Sequence, residues 1–346
     1  MLKIFTLENR TEWDSIVRSF NCYDVYYLSG YVSAFQLNGD GEPLLVYFEA
    51  PGLRGINVVM KRDIAKMADF KELLPTDTYF DLSTPYGYGG WLLEGNKDLR
   101  QQLFNEYEQW CKNHNIVSEF VRFHPVLDNA DNCSPYYQVV PLGETITLDL
   151  SNPETIWTNI SSKNRNMIRK AEKTGVQIFN GRSPALFDEF IQIYNETMKH
   201  DDADAYYFFD REFYDSICTD LPEQAQVFYA VKDGKVIASS IILAANGRLN
   251  YHLSGSLLEY RSFAPSNLLL YKAALWGCAN GCETFHLGGG VGSKEDSLFK
   301  FKKSFFRGDA LTRFCIGKKI FVPEEYDRLV NLRQVSEGNF FPKYRA

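Results

Sequence analysis

Between residues 226 and 254 the chain alternates apolar runs with two-residue polar turns. Residues 226–232 (QVFYAVK) are β-branched and aromatic, and Asp233-Gly234 follows them. Residues 235–245 (KVIASSIILAA) come next, closed by Asn246-Gly247, and 248–254 (RLNYHLS) follow that turn. Asp-Gly and Asn-Gly supply the positive φ values of tight hairpins, so the pattern predicts a three-stranded antiparallel meander. Downstream the period lengthens. Residues 266–279 read as an apolar helix, 283–287 as a short strand and 298–306 as a basic, aromatic helix.

The first half has similar grammar. Residues 11–20 predict a short amphipathic helix, and 44–49 with 56–61 predict paired strands around Pro51-Gly52. Residues 81–93 read as a loop rich in tyrosine and glycine. Residues 98–114 predict a helix with Leu99, Leu103, Phe104, Tyr107, Trp110 and Cys111 on one stripe. A strand over 116–123, a polar loop over 129–135 and two short strands within 137–150, around Leu142-Gly143, complete it. The second half opens near Ser151, where Ser151 or Asn152 can cap a helix with Pro153 in its first turn. That helix is expected to run to about Thr174 and stop at Gly175. Residues 176–179 predict a strand, and Ser183-Pro184 opens a further helix. Each half therefore reads helices, meander, helix, strand, which suggests an architectural duplication with a boundary around 140–155.

Composition narrows the functional classes. With 346 residues the chain accommodates two domains, and 45% apolar residues fill their cores. The net charge of −7 supplies no global field for nucleic acid, although a local basic patch remains open, and no DNA partner is expected. The N-terminal Met1-Leu2-Lys3-Ile4 lacks a signal peptide's apolar region, and no apolar run is long enough to predict a membrane span. The seven cysteines are scattered without paired CxxC spacing, so neither a disulfide framework nor a metal site is expected; a reducing cytoplasm is the simplest setting.

Four stretches could carry chemistry. Arg261 to Ser266 (RSFAPS) leads into the helix SNLLLYKAALWGCA, whose first turn offers unpaired N–H groups and the positive dipole end. Phosphate binds such places, and Arg261 could add a charged contact; Ala264, Ser266 and Asn267 belong to the same loop and turn. An ordinary core-helix start is the alternative. Lys163 to Lys173 (KNRNMIRKAEK) is a basic helix whose Lys163, Arg165, Arg169 and Lys173 cannot all pair with Glu172. A diphosphate or an RNA backbone would satisfy it, as would plain solvation. His286 to Gly292 (HLGGGVG) lets backbone approach a ligand, and Lys300, Lys302 and Lys303 follow among Phe299, Phe301, Phe305 and Phe306. A lysine there could stabilise an oxyanion, while the phenylalanines could equally be core. Finally, Ser83 to Trp91 (STPYGYGGW) could present Tyr86, Tyr88 and Trp91 to a sugar or peptide, or pack them into an ordinary turn. His124 and His252 read as structural histidines, and no nucleophile–base arrangement stands out.

The segments SSKNRNMIRKAEKTGVQI, FAPSNLLLYKAALWGCANGCETFHLGGG and LFKFKKSFF, with the meander between the first two, resemble the FemAB-like branch of the GNAT N-acetyltransferase superfamily over roughly residues 155–310. The resemblance implies an α/β fold of the α+β type: tandem GNAT-like domains, each a twisted, mainly antiparallel mixed sheet flanked by helices. It assigns 1–148 to an N-terminal domain on the acceptor side. Residues 149–346 become a C-terminal domain with the donor motifs, its tail after about 318 expected to pack back on the first domain. Of the family's [Q/R]xxGx[G/A] phosphate loop, Arg261, Ala264 and Ser266 stand at the corresponding places; Ala264 replaces the first glycine, which weakens tight coenzyme A binding. The family's Phe-Lys pair resembles Phe301-Lys302, with Lys303 or Lys300 as alternative equivalents, and the lysine's implied role is to stabilise charge on the transferring carbonyl.

The expected activity is acyl or aminoacyl transfer from an activated donor to a primary amine of a small-molecule, saccharide or cell-wall precursor. Acyl-CoA, acetyl-CoA included, is the favoured donor; an aminoacyl-tRNA-dependent ligase of the peptidoglycan-bridge type is the alternative, and a catalytically silent binding module the third reading. The expected catalytic residues are Lys302 and Phe301, with His252, Glu259 or a water chain as weak candidates for the base. Arg261, Ala264, Ser266, Asn267, Lys163, Arg165 and Arg169 would hold the donor, and Tyr86, Tyr88 and Trp91 the acceptor, with no metal.

Overall fold

The structure, a computed structural model, describes residues 1–308, 311–333 and 340–346. Its contacts divide into two units, Met1–Leu142 with Phe314–Ala346, and Gly143–Arg313.

The first unit opens with β1 (Leu2–Phe5), α1 (Arg10–Ser19) and α2 (Ser29–Leu37). β2 (Glu42–Ala50) and β3 (Leu53–Asp63) then form the expected hairpin, in register from Glu42–Lys61 to Ala50–Leu53. The stretch read as a loop over 81–93 carries strand at both ends, β4 (Phe80–Ser83) and β5 (Leu92–Gly95), each antiparallel to β3. α3 (Arg100–Asn113) buries Leu103, Phe104, Tyr107 and Cys111 of the predicted stripe. β6 (Ile116–Arg122) lies parallel to β4, and the 129–135 loop contains one helical turn, α4 (Ala130–Cys133). A buried Glu119 anchors this core. It accepts from Asn57 Nδ2 at 2.9 Å, Tyr107 Oη at 3.1 Å and Tyr137 Oη at 2.5 Å. Burial raises its pKa, and these donors partly offset that rise.

β7 (Gln138–Asp149) is one strand where two were expected. Gly143 makes no turn there. A Cβ at that position would lie 2.7 Å from the Ser293 carbonyl oxygen, so the glycine answers to a close approach. The single helix expected over 153–174 is two, α5 (Pro153–Asn159) and α6 (Ser162–Lys173). Ile160 is extended, and Ser161 starts α6 by accepting from Asn164 N at 3.3 Å. β8 (Gln177–Gly181), α7 (Pro184–His200) and α8 (Arg211–Asp220) follow; α8 is an addition to the sequence reading. The meander stands as expected in β9 (Ala225–Lys232), β10 (Lys235–Ala245) and β11 (Arg248–Ser256). α9 (Pro265–Ala279), β12 (Thr284–Gly288) and α10 (Ser297–Lys303) complete the second unit. Its sheet order is β7-β12-β11-β10-β9-β8, antiparallel apart from β11 with β12 among the described residues. Ile168, Ala171, Leu268, Leu269, Ala273, Phe228, Ile242 and Phe285 share its main core, placing α6 and α9 on one face of the sheet.

β13 (Thr312–Ile320) and α11 (Pro323–Arg333) follow the stretch to which the sequence assigned elements. β13 pairs antiparallel with β6 over Ile316–Arg122 to Ile320–Ser118. The C-terminus is pinned: Arg345 Nε donates to Asp81 Oδ2 at 2.5 Å, and Arg62 Nε donates to Asp81 Oδ1 at 2.7 Å. No helix among the described residues is long and apolar enough to cross a membrane.

Candidate active site

The site begins with a divergence of two strands. β11 and β12 run parallel for three register pairs, Arg248 with Thr284, Leu249 with Phe285 and Asn250 with His286. Their pairing ends there. β12 goes on against β7, Gly288 opposite Ile146, while β11 continues against β10 as far as Ser256 opposite Ala238. A register shift between Ile241 and Ile242 marks the same point of β11 and leaves His252 outside the register between Tyr251 and Leu253.

Lys302 reaches the strand end at this opening. Its Nζ donates to the Gly289 carbonyl at 2.7 Å and lies 5.8 Å from the Tyr251 ring centroid. The side chain is 8% exposed. Burial pulls its pKa down to about 8, against the opposing pull of the Asp296 carboxylate. The flanking lysines lie elsewhere: Lys300 is exposed, and Lys303 donates to the Gly308 carbonyl at 2.7 Å. Phe301 is half-buried and packs edge-on to Phe305, with ring centroids 5.6 Å apart.

Asp296 orders this corner, and sequence reasoning missed it. It caps α10 through Oδ1, which accepts from Phe299 N at 2.8 Å, and holds the glycine loop through Oδ2, which accepts from Val291 N at 3.0 Å. Burial pushes its carboxyl up, but the N–H groups of Phe299, Val291 and Leu298 and the Lys302 ammonium more than offset that, so its pKa falls. Gly290 is required beside it, because a Cβ there would lie 2.0 Å from the Lys294 carbonyl oxygen. The available signal was an Asp two residues before Leu298-Phe299, which marks an N-cap. Tyr251 was also overlooked. Burial raises its phenol pKa, and the hydroxyls of Ser254 and Ser240, 2.7 Å from each other, oppose that rise. His252 fits poorly as a base, since burial lowers its pKa to about 3 and a protonated imidazole is disfavoured there. Glu259 is exposed and pairs with Lys235 at 3.4 Å.

The 261–266 loop turns left-handed at Ala264, at φ 55° and ψ 45°, immediately before α9. No side chain caps α9, so the N–H groups of its first turn stay available at Ser266 and Asn267. Asn267 Nδ2 donates to Asn164 Oδ1 at 2.8 Å and so joins the start of α9 to the first turn of α6. Arg261 is half-exposed and lies 3.5 Å from Asp201. Lys163 and Arg169 are exposed, whereas Arg165 turns back to the end of α5 and donates to the Ile160 carbonyl at 2.9 Å. Ser161 N donates to Ser304 O at 2.8 Å, so α6 starts beside the end of the helix that carries Lys302.

Tyr86, Tyr88 and Trp91 lie in the first unit. Tyr86 is half-buried; its carbonyl accepts from Tyr31 Oη at 2.6 Å, and its ring stacks on Phe35. Tyr88 packs edge-on to Tyr26 and Phe314, with the Arg122 guanidinium 5.9 Å from its ring centroid. Gly87 between them has φ 95°, and a Cβ there would lie 2.5 Å from the Tyr26 ring. The expectation that Trp91 faces an acceptor is corrected. Trp91 is 0% exposed and packs edge-on to Phe104 and Tyr107, so its indole is core. Beside this loop, His124 Nε2 and Asp24 Oδ2 form a buried pair at 3.0 Å.

Comparison with known proteins agrees with this geometry. Residues 160–302 match the family model of the acetyltransferase (GNAT) domain. Over 175 residues the chain is 28% identical to UDP-N-acetylmuramoylpentapeptide-lysine N(6)-alanyltransferase of Weissella viridescens, a stretch covering 49% of this chain and 50% of that protein. The chain thus spans about half the length of the curated relative it matches. The crystal structure of FemX is 14% identical with a TM-score of 0.70, covering 95% of this chain and 99% of that one. A conserved protein of unknown function from Bacteroides thetaiotaomicron is 12% identical with a TM-score of 0.58, covering 92% and 99%. The fold is that of FemX over nearly the whole chain, and residues 160–302 within it carry the GNAT-domain match.

Proposed function

We propose that the chain transfers an aminoacyl group from an aminoacyl-tRNA to a primary amine of a peptidoglycan precursor. The observation that carries this reading is the Lys302 ammonium, nearly dry and hydrogen-bonded at 2.7 Å to Gly289, where β11 and β12 part. A cation in that place suits the charge that develops on a carbonyl oxygen under attack by an amine. In the reaction the amine nitrogen bonds to the acyl carbon. The ester bond to the ribose oxygen breaks, the nitrogen gives up a proton and the departing oxygen gains one. No enzyme-bound intermediate is needed, and the protein's work is placement and charge stabilisation. The start of α9, with Arg261, Ser266 and Asn267, is the place for the donor's terminal phosphate.

The favoured donor thus changes from acyl-CoA to aminoacyl-tRNA. The Weissella relative is named as an alanyltransferase acting on a muramoyl pentapeptide lysine, which supports an aminoacyl donor and a cell-wall acceptor. Ala264, where the coenzyme-A loop of the superfamily carries glycine, supports the same change. The test is a donor panel with a UDP-linked muramoyl pentapeptide as acceptor and mass spectrometry of the product. Addition of one aminoacyl residue from aminoacyl-tRNA supports the reading; acetylation from acetyl-CoA with no aminoacyl product overturns it.

A further inference from the structure

The basic face of α6 has a use that the transfer chemistry does not absorb. Lys163, Arg169, Lys170 and Lys173 are all exposed on this helix, and none forms an ion pair among the described residues. The helix's one carboxylate, Glu172, pairs instead with Lys272 of α9 at 2.9 Å. Beside these cations lie two half-buried rings, Trp157 and Tyr271, with centroids 5.1 Å apart. The Arg169 guanidinium is 5.1 Å from the Trp157 centroid, and Lys272 Nζ is 5.6 Å from that of Tyr271. Cations thus flank an aromatic pair in a chain whose net charge is −7.

We infer that this face, Lys163, Arg169, Lys170 and Lys173 with the Trp157–Tyr271 pair, binds the RNA arm that carries the aminoacyl group. The inference rests on the donor reading above and deepens it. Phosphates of a strand are met by a row of solvated cations, and unpaired bases stack on aromatic rings between them. From Lys163 to Lys173 the helix rises about 15 Å, the reach of several nucleotides. The row starts in the right place, since the Ser161–Ser304 hydrogen bond of 2.8 Å ties the beginning of α6 to the end of the Lys302 helix. An anionic membrane is the poorer partner. Insertion needs a free apolar face, and of the apolar residues of α6, Ile168 and Ala171 are fully buried in the core and Met167 alone is half-buried.

The test compares the intact protein with Lys170→Glu/Lys173→Glu and, separately, Trp157→Ala, each checked for an unchanged melting curve. The first readout is fluorescence anisotropy with a labelled RNA minihelix ending in single-stranded CCA, over a salt series. The second is transfer from two donors, the aminoacylated minihelix and the aminoacyl ester of the terminal dinucleotide, which is too short to extend from the first turn of α6 to Lys170 and Lys173. The charge reversals are expected to weaken minihelix binding at least tenfold and to flatten its salt dependence by about two units of slope. Transfer from the dinucleotide ester stays within twofold. Unchanged minihelix affinity in both variants overturns the inference, as does an equal loss with both donors. So does competition by inorganic pyrophosphate as strong as that by RNA, or binding to phosphatidylglycerol vesicles without binding to RNA. Wild-type protein that binds the minihelix through this face but uses neither ester refutes the donor reading and leaves the RNA face standing.

Discussion

Lys302 Nζ donates to the carbonyl of Gly289 at 2.7 Å, and this contact joins the basic helix to the glycine loop at the point where the sheet opens. The ammonium is buried there with one carbonyl and the nearby Asp296 carboxylate for compensation. Its pKa of about 8 in the folded state lies below the ordinary lysine value of 10.5. Between these values the unfolded chain binds more protons than the folded one, so this group makes stability rise with pH across that window. The stability difference between wild type and Lys302→Met should therefore move in favour of wild type from pH 8 to pH 10.5, by about 3 kcal/mol at most. Urea unfolding of both proteins across that window checks it; a flat difference would place Lys302 in water.

Asp296 sets both the position and the charge of Lys302. Asp296→Ala removes the cap of α10 and should cost about 1–2 kcal/mol. It also removes the carboxylate that favours the ammonium, so the lysine pKa should drop further below about 8. If turnover needs the protonated amine, activity declines as pH rises through about 8 in wild type and at a lower pH in the variant. Coincident pH–rate profiles would separate Asp296 from the chemistry.

Ala264 is a non-glycine residue in the left-handed region immediately before α9. Ala264→Gly should relieve about 1 kcal/mol of backbone strain, reduced by whatever the buried methyl contributes to packing. A rise in melting temperature with retained activity is the expected result. A clear fall would mean that the methyl's contacts outweigh the strain.

Trp91 separates the structural account of the first unit from the sequence expectation. Trp91→Ala should destabilise the protein by about 3–5 kcal/mol, the range for a fully buried aromatic side chain. A residue that only contacted substrate would leave the melting temperature unchanged and raise KM.

Local turn chemistry made the meander legible, because Asp233-Gly234 and Asn246-Gly247 fix two hairpins without reference to the rest of the chain. The break at Ile160-Ser161 was less visible, since no Gly or Pro marks it and the cap that resolves it is one serine hydroxyl. α8 escaped notice because its buried Phe213, Tyr214 and Ile217 follow an aromatic run at Tyr206 to Phe209 that blurs the helical period. At the candidate site, the Phe301-Lys302 pair could be read but not oriented. What distinguishes Lys302 from Lys300 and Lys303 is burial against Gly289, a contact thirteen residues away in sequence. Trp91 was misread because glycine and tyrosine neighbours suggest an open loop, while its neighbours in space are Phe104 and Tyr107.

The most direct test is single-turnover transfer from a saturating aminoacyl-tRNA to a muramoyl pentapeptide acceptor, comparing wild type with Lys302→Ala. The account predicts transfer by wild type and a rate about 10²–10³-fold lower in the variant, with donor affinity and the folded structure retained. Equal rates in the two proteins would contradict it.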